Sequence, residues 1–322
     1  MAKVTEYSFN SADDRHTKIH AVKWEPEEGS PLGVVQLIHG MIEYIERYSD
    51  FAEYLTGLGF IVMGHDHIGH GDSVSSSDEW GIMHAAFPDY VMVEDIYSNY
   101  KLIRKQYPAL PHFILGHSMG SYMLRMFLAE KSDDLYDLSG AVIMGTGTSP
   151  DNVTSMGLKV VNFLSRIFGR NHKSKFVEGL MFGGGPYKKF NTSGEDPENS
   201  WLTKDVDIVK RYYNEPKCRF AFSLGAYKGL ISAVYYDNQL SNVSKIQKQL
   251  PVFFVSGTDD PVGDFGVGVK TAYSLFKKAG ITDVTMKLYD GDRHEILNET
   301  DREKVYSDIG DWMIKYCEEK KK

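Results

Sequence analysis

Six short apolar runs punctuate the chain, at residues 33–38, 60–63, 113–115, 141–144, 252–255 and 284–288, each bounded by Gly, Pro or charged residues. Runs of this length without polar alternation mark strands buried on both faces. Between them, Ile45, Tyr48, Ala52, Leu55 and Leu58 recur at helical spacing, as do Ile309, Trp312, Met313 and Tyr316 near the C-terminus. Alternation of the two patterns predicts an α/β fold: a mostly parallel central sheet with helices on both faces.

One interval breaks the rhythm. Between residues 144 and 252 about a hundred residues carry no buried-strand pattern, far more than a crossover needs. This predicts an inserted helical cap at 150–245, dividing the core into 1–149 and 246–322. Inside it, Leu158, Val161, Leu164, Ile167 and Phe168 form an apolar helical stripe, followed by the turn FGGGP. The stripe is expected to lie on the sheet domain and roof an active site. Lys159, Arg166, Arg170, Lys173 and Lys175, with no acid among them, also suit transient contact with a membrane or micelle surface. The closing EEKKK reads as a solvated, frayed helix end.

A formal charge of -8 argues against a nucleic-acid partner, which needs a basic face. With only Cys218 and Cys317, the chain offers neither a disulfide framework nor a cysteine-based zinc site, which suits the cytoplasm. The N-terminus turns polar too soon for a signal peptide, and no apolar run approaches the roughly 18 residues of a membrane span.

Candidate chemistry gathers around Gly116-His117-Ser118-Met119-Gly120, which follows a strand pattern and opens a helix pattern. That is the setting of a nucleophile elbow, where a sharp turn exposes the serine and leaves its flanks room only for glycine. A serine nucleophile needs a base, and the base an acid, in the chain order Ser, Asp or Glu, His. His294, just past the run at 284–288, is the one histidine beyond residue 172. The run at 252–255 leads into SGTDDPVGD, so Asp260 is the expected acid, with Asp259 beside it and Asp151 a lesser alternative. Backbone amides of Met119, after the nucleophile, and Met41, in the loop after an early strand, are the expected oxyanion donors. The tract GHDHIGHG at 64–71 holds three histidines and a carboxylate. As a Gly-rich loop without a second ligand cluster, it is read as structural, not as a metal site. No dinucleotide fingerprint occurs, and no cofactor is expected.

Together HGMIEYIERY (39–48), GHDHIGHGDS (64–73), GHSMG (116–120), SGTDDPVGD (256–264), YDGDRHE (289–295) and the stretch at 201–218 resemble the monoacylglycerol lipase and lysophospholipase group of α/β-hydrolases. The resemblance implies a Ser118, Asp260, His294 triad, an oxyanion hole at Met41 and Met119, and an apolar acyl tunnel under the cap. It further implies Glu43, Arg47 and His117 near the bound alcohol, or in a hydrogen-bond network there. Tyr44, Ile68 and Ser121 depart from the family pattern, which touches the head group more than the chemistry. The expected activity is hydrolysis of a lipid-like monoester, a monoacylglycerol or lysophospholipid. A short-chain carboxylesterase, an amide- or peptide-cleaving enzyme and a non-catalytic ligand receptor remain alternatives.

Overall fold

The computed structural model describes residues 2–319. The three final lysines, and with them most of the expected frayed end, lie outside the described residues. Eight strands form one sheet: β1 (Lys3–Asn10), β2 (Lys18–Glu25), β3 (Gly33–Ile38), β4 (Phe60–His65), β5 (His112–His117), β6 (Leu138–Met144), β7 (Val252–Gly257) and β8 (Val284–Tyr289). Their order is β1-β2-β4-β3-β5-β6-β7-β8. β2 runs antiparallel to β1 and β4, and every other pair is parallel.

The five apolar strands β3 to β7 are buried along their whole length, as both-face burial requires. Helices α1 (Ser49–Gly57) and α10 (Arg302–Glu319) cover one face through Phe51, Leu55, Val305 and Ile309. Helices α2 (Pro88–Gln106), α3 (Met119–Glu130) and α9 (Val267–Lys278) cover the other through Met92, Ile96, Leu124, Phe127 and Phe276. Parallel register brings Ile38 beside both His65 and Gly116, so the carboxyl ends of β3, β4 and β5 share one rim. Loops leaving that rim are where open α/β sheets bind ligands.

Between β6 and β7 the chain forms α4 (Asp151–Phe168), α5 (Lys175–Phe182), α6 (Val206–Asn214), α7 (Leu224–Asp237) and α8 (Leu240–Val243). Helix α7 lies on α2 and α3, and α4 lies on α7. Consequently α3 is buried on every side instead of being amphipathic. The stripe expected on α4 divides: Val161 is buried and Leu158 and Leu164 half-buried, but Ile167 and Phe168 face solvent at 57% and 58% exposure. Among the described residues no helix is long and apolar enough to cross a membrane.

Candidate active site

Ser118 joins β5 to α3 with φ 52° and ψ -121°, a strained backbone for a residue with a side chain. It is held by its N–H, which donates to Met144 O on β6 (3.0 Å), and by its carbonyl, which accepts from the Ser121 N–H (2.9 Å) and hydroxyl (2.6 Å). A Cβ at 116 would come within 2.5 Å of Gly120 O, and one at 120 within 2.3 Å of Ile38 O. Both collisions are with backbone, so the two glycines are steric requirements of the turn.

Asp260, fully buried in the loop after β7, faces His294 Nδ1 through Oδ1 at 3.0 Å. The same oxygen accepts from the Val262 N–H (2.8 Å), and Oδ2 from the Ser256 hydroxyl (3.1 Å), which fixes the carboxylate. Neither alternative acid is there. Asp259 turns its amide to Asp292 O, while Asp151 begins α4 and accepts from Gln239. The His294 ring lies 4.7 Å from that of His117, the residue preceding Ser118, so serine and Asp–His pair meet at one rim. Among the described residues Ser118 and His294 are not directly hydrogen-bonded. Such contacts are commonly long without substrate and tighten when it binds.

Met119 N–H lies in the first turn of α3, where amides have no helical partner. Met41 N–H lies in the loop after β3, and among the described residues neither amide donates to another protein group. That loop is propped from behind. Gly40 N–H donates to Glu43 Oε1 (2.5 Å), and His39 Nε2 accepts from the His67 N–H (3.0 Å), leaving Nδ1–H for Gly40 O (2.8 Å). An imidazolium could not accept the His67 contact. Consistently, burial and the neighbouring His70 charge push His39 down to about 3. Burial likewise drives His65 and His67 well below the ordinary value and His70 down to about 4. The tract at 64–71 thus buttresses the loop after β3. The metal-capable grouping among the described residues is instead His20, Asp66 and Asp72. There Asp66 already accepts from His20, Ile45 N–H and Asp72 N–H, and Asp72 pairs with Lys217.

Glu43, Arg47 and His117 line no open alcohol site. Glu43 and His117 are buried and Arg47 is half-buried behind the elbow, around a cavity of about 10 Å³, enough for one water. Glu43 accepts from Arg47 (2.8 Å) and the Tyr48 hydroxyl (2.9 Å) and lies 3.1 Å from His117 Nδ1. Arg47 grips Glu295 with two bonds (2.8 and 2.7 Å), and Asn298 donates to the same carboxylate (2.9 Å). Burial opposes charge throughout this group. Even so, His117 and Arg47 hold the Glu43 carboxyl below the usual range, and the Glu43 bond holds His117 above its ordinary value. Sequence reasoning missed Tyr48, Glu295 and Asn298; only the adjacency of Glu295 to His294 hinted at one of them.

It also missed a strap from the insertion. Glu295 N–H donates to Leu202 O (2.7 Å), Thr203 Oγ1 to Asn298 O (2.9 Å), and Lys204 Nζ to Asp292 Oδ1 (2.7 Å). Arg293 Nη1 donates to the carbonyls of Glu198 (3.1 Å), Ser200 (2.5 Å) and Thr203 (3.2 Å). Trp201 stacks on the His294 ring, centroids 5.1 Å apart and planes at 27°.

Residues 29–301 match the family described as Serine aminopeptidase, S33. The chain is 27% identical to monoglyceride lipase of Homo sapiens over 90% of its own length and 84% of that protein's. It is 26% identical to the monoglyceride lipase homolog of Monkeypox virus, over 96% and 98% of the two chains. Its structure superposes on a thermostable carboxyl esterase from Bacillus coagulans, solved with glycerol, at a TM-score of 0.87, with 28% identity and coverage of 98% and 99%. With the rim architecture above, these likenesses make the chain an α/β-hydrolase of the lipase and esterase kind, and it belongs to the serine aminopeptidase S33 family.

Proposed function

We propose that this protein hydrolyses monoacylglycerols through an acyl-enzyme on Ser118. The observation that carries the reading is a strained, strand-end serine beside a buried Asp260–His294 pair. Ser118 Oγ forms a bond to the ester carbonyl carbon as its proton passes to His294 Nε2, and the C=O electron pair moves onto the oxygen. Amides of Met119 and Met41 stabilise that oxyanion, and Asp260 stabilises the imidazolium. The C–O bond to glycerol then breaks, with the proton returned from His294 to the departing alcohol. Water repeats the cycle in reverse and frees the fatty acid. Glu43, Arg47 and His117 hold the oxyanion loop and elbow in register.

Residues 150–245 serve as a cap. Met156, Phe163, Ile167, Phe168, Phe176 and Leu180 lie 57–62% exposed on α4 and α5, amid the cationic residues 159–175. Solvent-facing apolar surface rimmed by positive charge suits docking on a lipid surface, from which a monoester can enter the site. A chain with only Cys218 and Cys317, both buried, suits a cytoplasmic setting. A monoglyceride lipase relationship over most of the chain and a glycerol-bound structural neighbour favour glycerol as the leaving alcohol.

The test is a hydrolysis profile over p-nitrophenyl esters of two to sixteen carbons, with monooleoylglycerol and lysophosphatidylcholine alongside. Monooleoylglycerol should be turned over best, and a fluorophosphonate should label wild type but not Ser118→Ala. A maximum at two carbons would make this a short-chain carboxylesterase, and preference for lysophosphatidylcholine would change the head group. Absence of labelling would point to a ligand receptor on the same fold.

A further inference from the structure

We infer that Trp201, supplied by the insertion, is a positioning residue for His294; the inference rests on His294 being the general base proposed above.

Three neighbours confine the imidazole. Asp260 holds its Nδ1 edge at 3.0 Å, the His117 ring lies against it at 4.7 Å with the planes tilted by 39°, and the Trp201 indole stacks on it at 5.1 Å and 27°. None of the three engages Nε2, the atom that must receive the serine proton. Removing the indole would open that face and leave Asp260 as the one strong restraint, about which the ring can swing. A base displaced by an ångström loses orders of magnitude in rate, so a stacked wall has kinetic value.

Indole is also the aromatic surface best suited to face a cation, and His294 becomes one in the middle of each half-reaction. The stacked indole thus lies against the imidazolium as it forms. Other charged or titratable groups facing His294 are Asp260 and His117, the latter bonded to Glu43, and from the insertion Tyr187 beyond Trp201.

Trp201 is itself fixed at both ends. Its carbonyl accepts from the His294 N–H (3.4 Å), and its ring meets Tyr187 edge-on at 5.5 Å and Phe182 at 6.1 Å. Phe182 is the last residue of α5. Helix α5 is thereby linked to the base through two aromatic contacts.

The experiment compares wild type, Trp201→Ala and Trp201→Phe on p-nitrophenyl acetate, a substrate too short to depend on an acyl tunnel. Trp201→Ala should lower kcat by about 10- to 100-fold with KM within about twofold, and Trp201→Phe should restore most of it. A rise in KM at unchanged kcat would make Trp201 a substrate wall and overturn the inference. Emission of wild type minus that of Trp201→Phe isolates one indole. That difference should be quenched as His294 gains its proton, in step with the acid limb of kcat/KM, and His294→Ala should abolish the transition. A difference signal indifferent to His294 would overturn the inference even if Trp201→Ala fails to fold. Fluorophosphonate labelling that persists in Ser118→Ala would overturn the mechanism itself; labelling lost there, with Trp201 variants behaving as wild type, would overturn the positioning role alone.

Discussion

The floor of the site and the outer helices of the insertion depart from the usual distribution of side chains in opposite directions. Beneath the elbow, Glu43, Arg47, His117 and Glu295 are charged groups withdrawn from water and saturated by one another. On α4 and α5, large apolar side chains are left in water. Folded chains avoid both arrangements unless something compensates. For the floor, compensation comes from within, through hydrogen bonds; for α4 and α5, the proposed lipid surface would supply it. A centre that holds reacting atoms in fixed register is built from mutual restraint, and a surface that meets substrate can be left unfinished.

The difference is sharpest at the nucleophile. Ser118→Ala should reduce turnover of p-nitrophenyl butyrate by about 10⁵-fold while the melting temperature stays near wild type. Residual hydrolysis within tenfold of wild type would remove Ser118 from the chemistry. Next, Arg47→Ala leaves the buried Glu295 without a charged partner and Glu43 with His117 alone, and should cost about 3–5 kcal/mol in urea unfolding. A loss below about 1 kcal/mol would mean that this floor is not mutually restrained after all.

Acid provides a graded version of the same test. His39, His65, His67 and His70 have folded-state values below the ordinary 6.5, so the unfolded chain takes up protons first as pH falls. Stability should decline from about pH 6.5 toward 4, by up to about 1.4 kcal/mol per pH unit for each histidine. His117, held high by Glu43, acts in the opposite sense and in another window: its contribution is complete below about pH 6.5 and is lost as pH rises above it, so it leaves the acid decline unchanged. Flat urea midpoints from pH 7 to 5 would contradict this. The smallest effect belongs to the insertion: Phe163→Ser with Ile167→Ser should shift stability by no more than about 0.5 kcal/mol. Soluble-ester turnover should be retained and sedimentation with anionic vesicles lost. Equal sedimentation of variant and wild type would dismiss the lipid-docking surface.

Strands β3 to β7 were legible because burial on both faces writes an unbroken apolar run, whereas β8, expected on the same ground, is an edge strand buried only at Val284 and Tyr289. The hairpin of β1 and β2 was not, since β1 keeps mostly exposed side chains at the sheet edge and KVTEYSFN shows no such run. The encounter of Asp260 with His294 was legible from strand ends and chain order. The floor was not: Arg47 meets Glu295 across 248 residues, and local patterns carry no trace of so distant a partner. Trp201 was hidden for the same reason, in a polar stretch whose regular hydrogen bonds go to another part of the chain instead of to a helix of its own.

Because the elbow and Arg47 precede the insertion while Asp260, His294 and Glu295 follow it, neither half of the polypeptide carries a working centre alone. A cut in the polar stretch between α5 and α6 would leave Ser118 and Arg47 on one fragment and Asp260, His294 and Glu295 on the other.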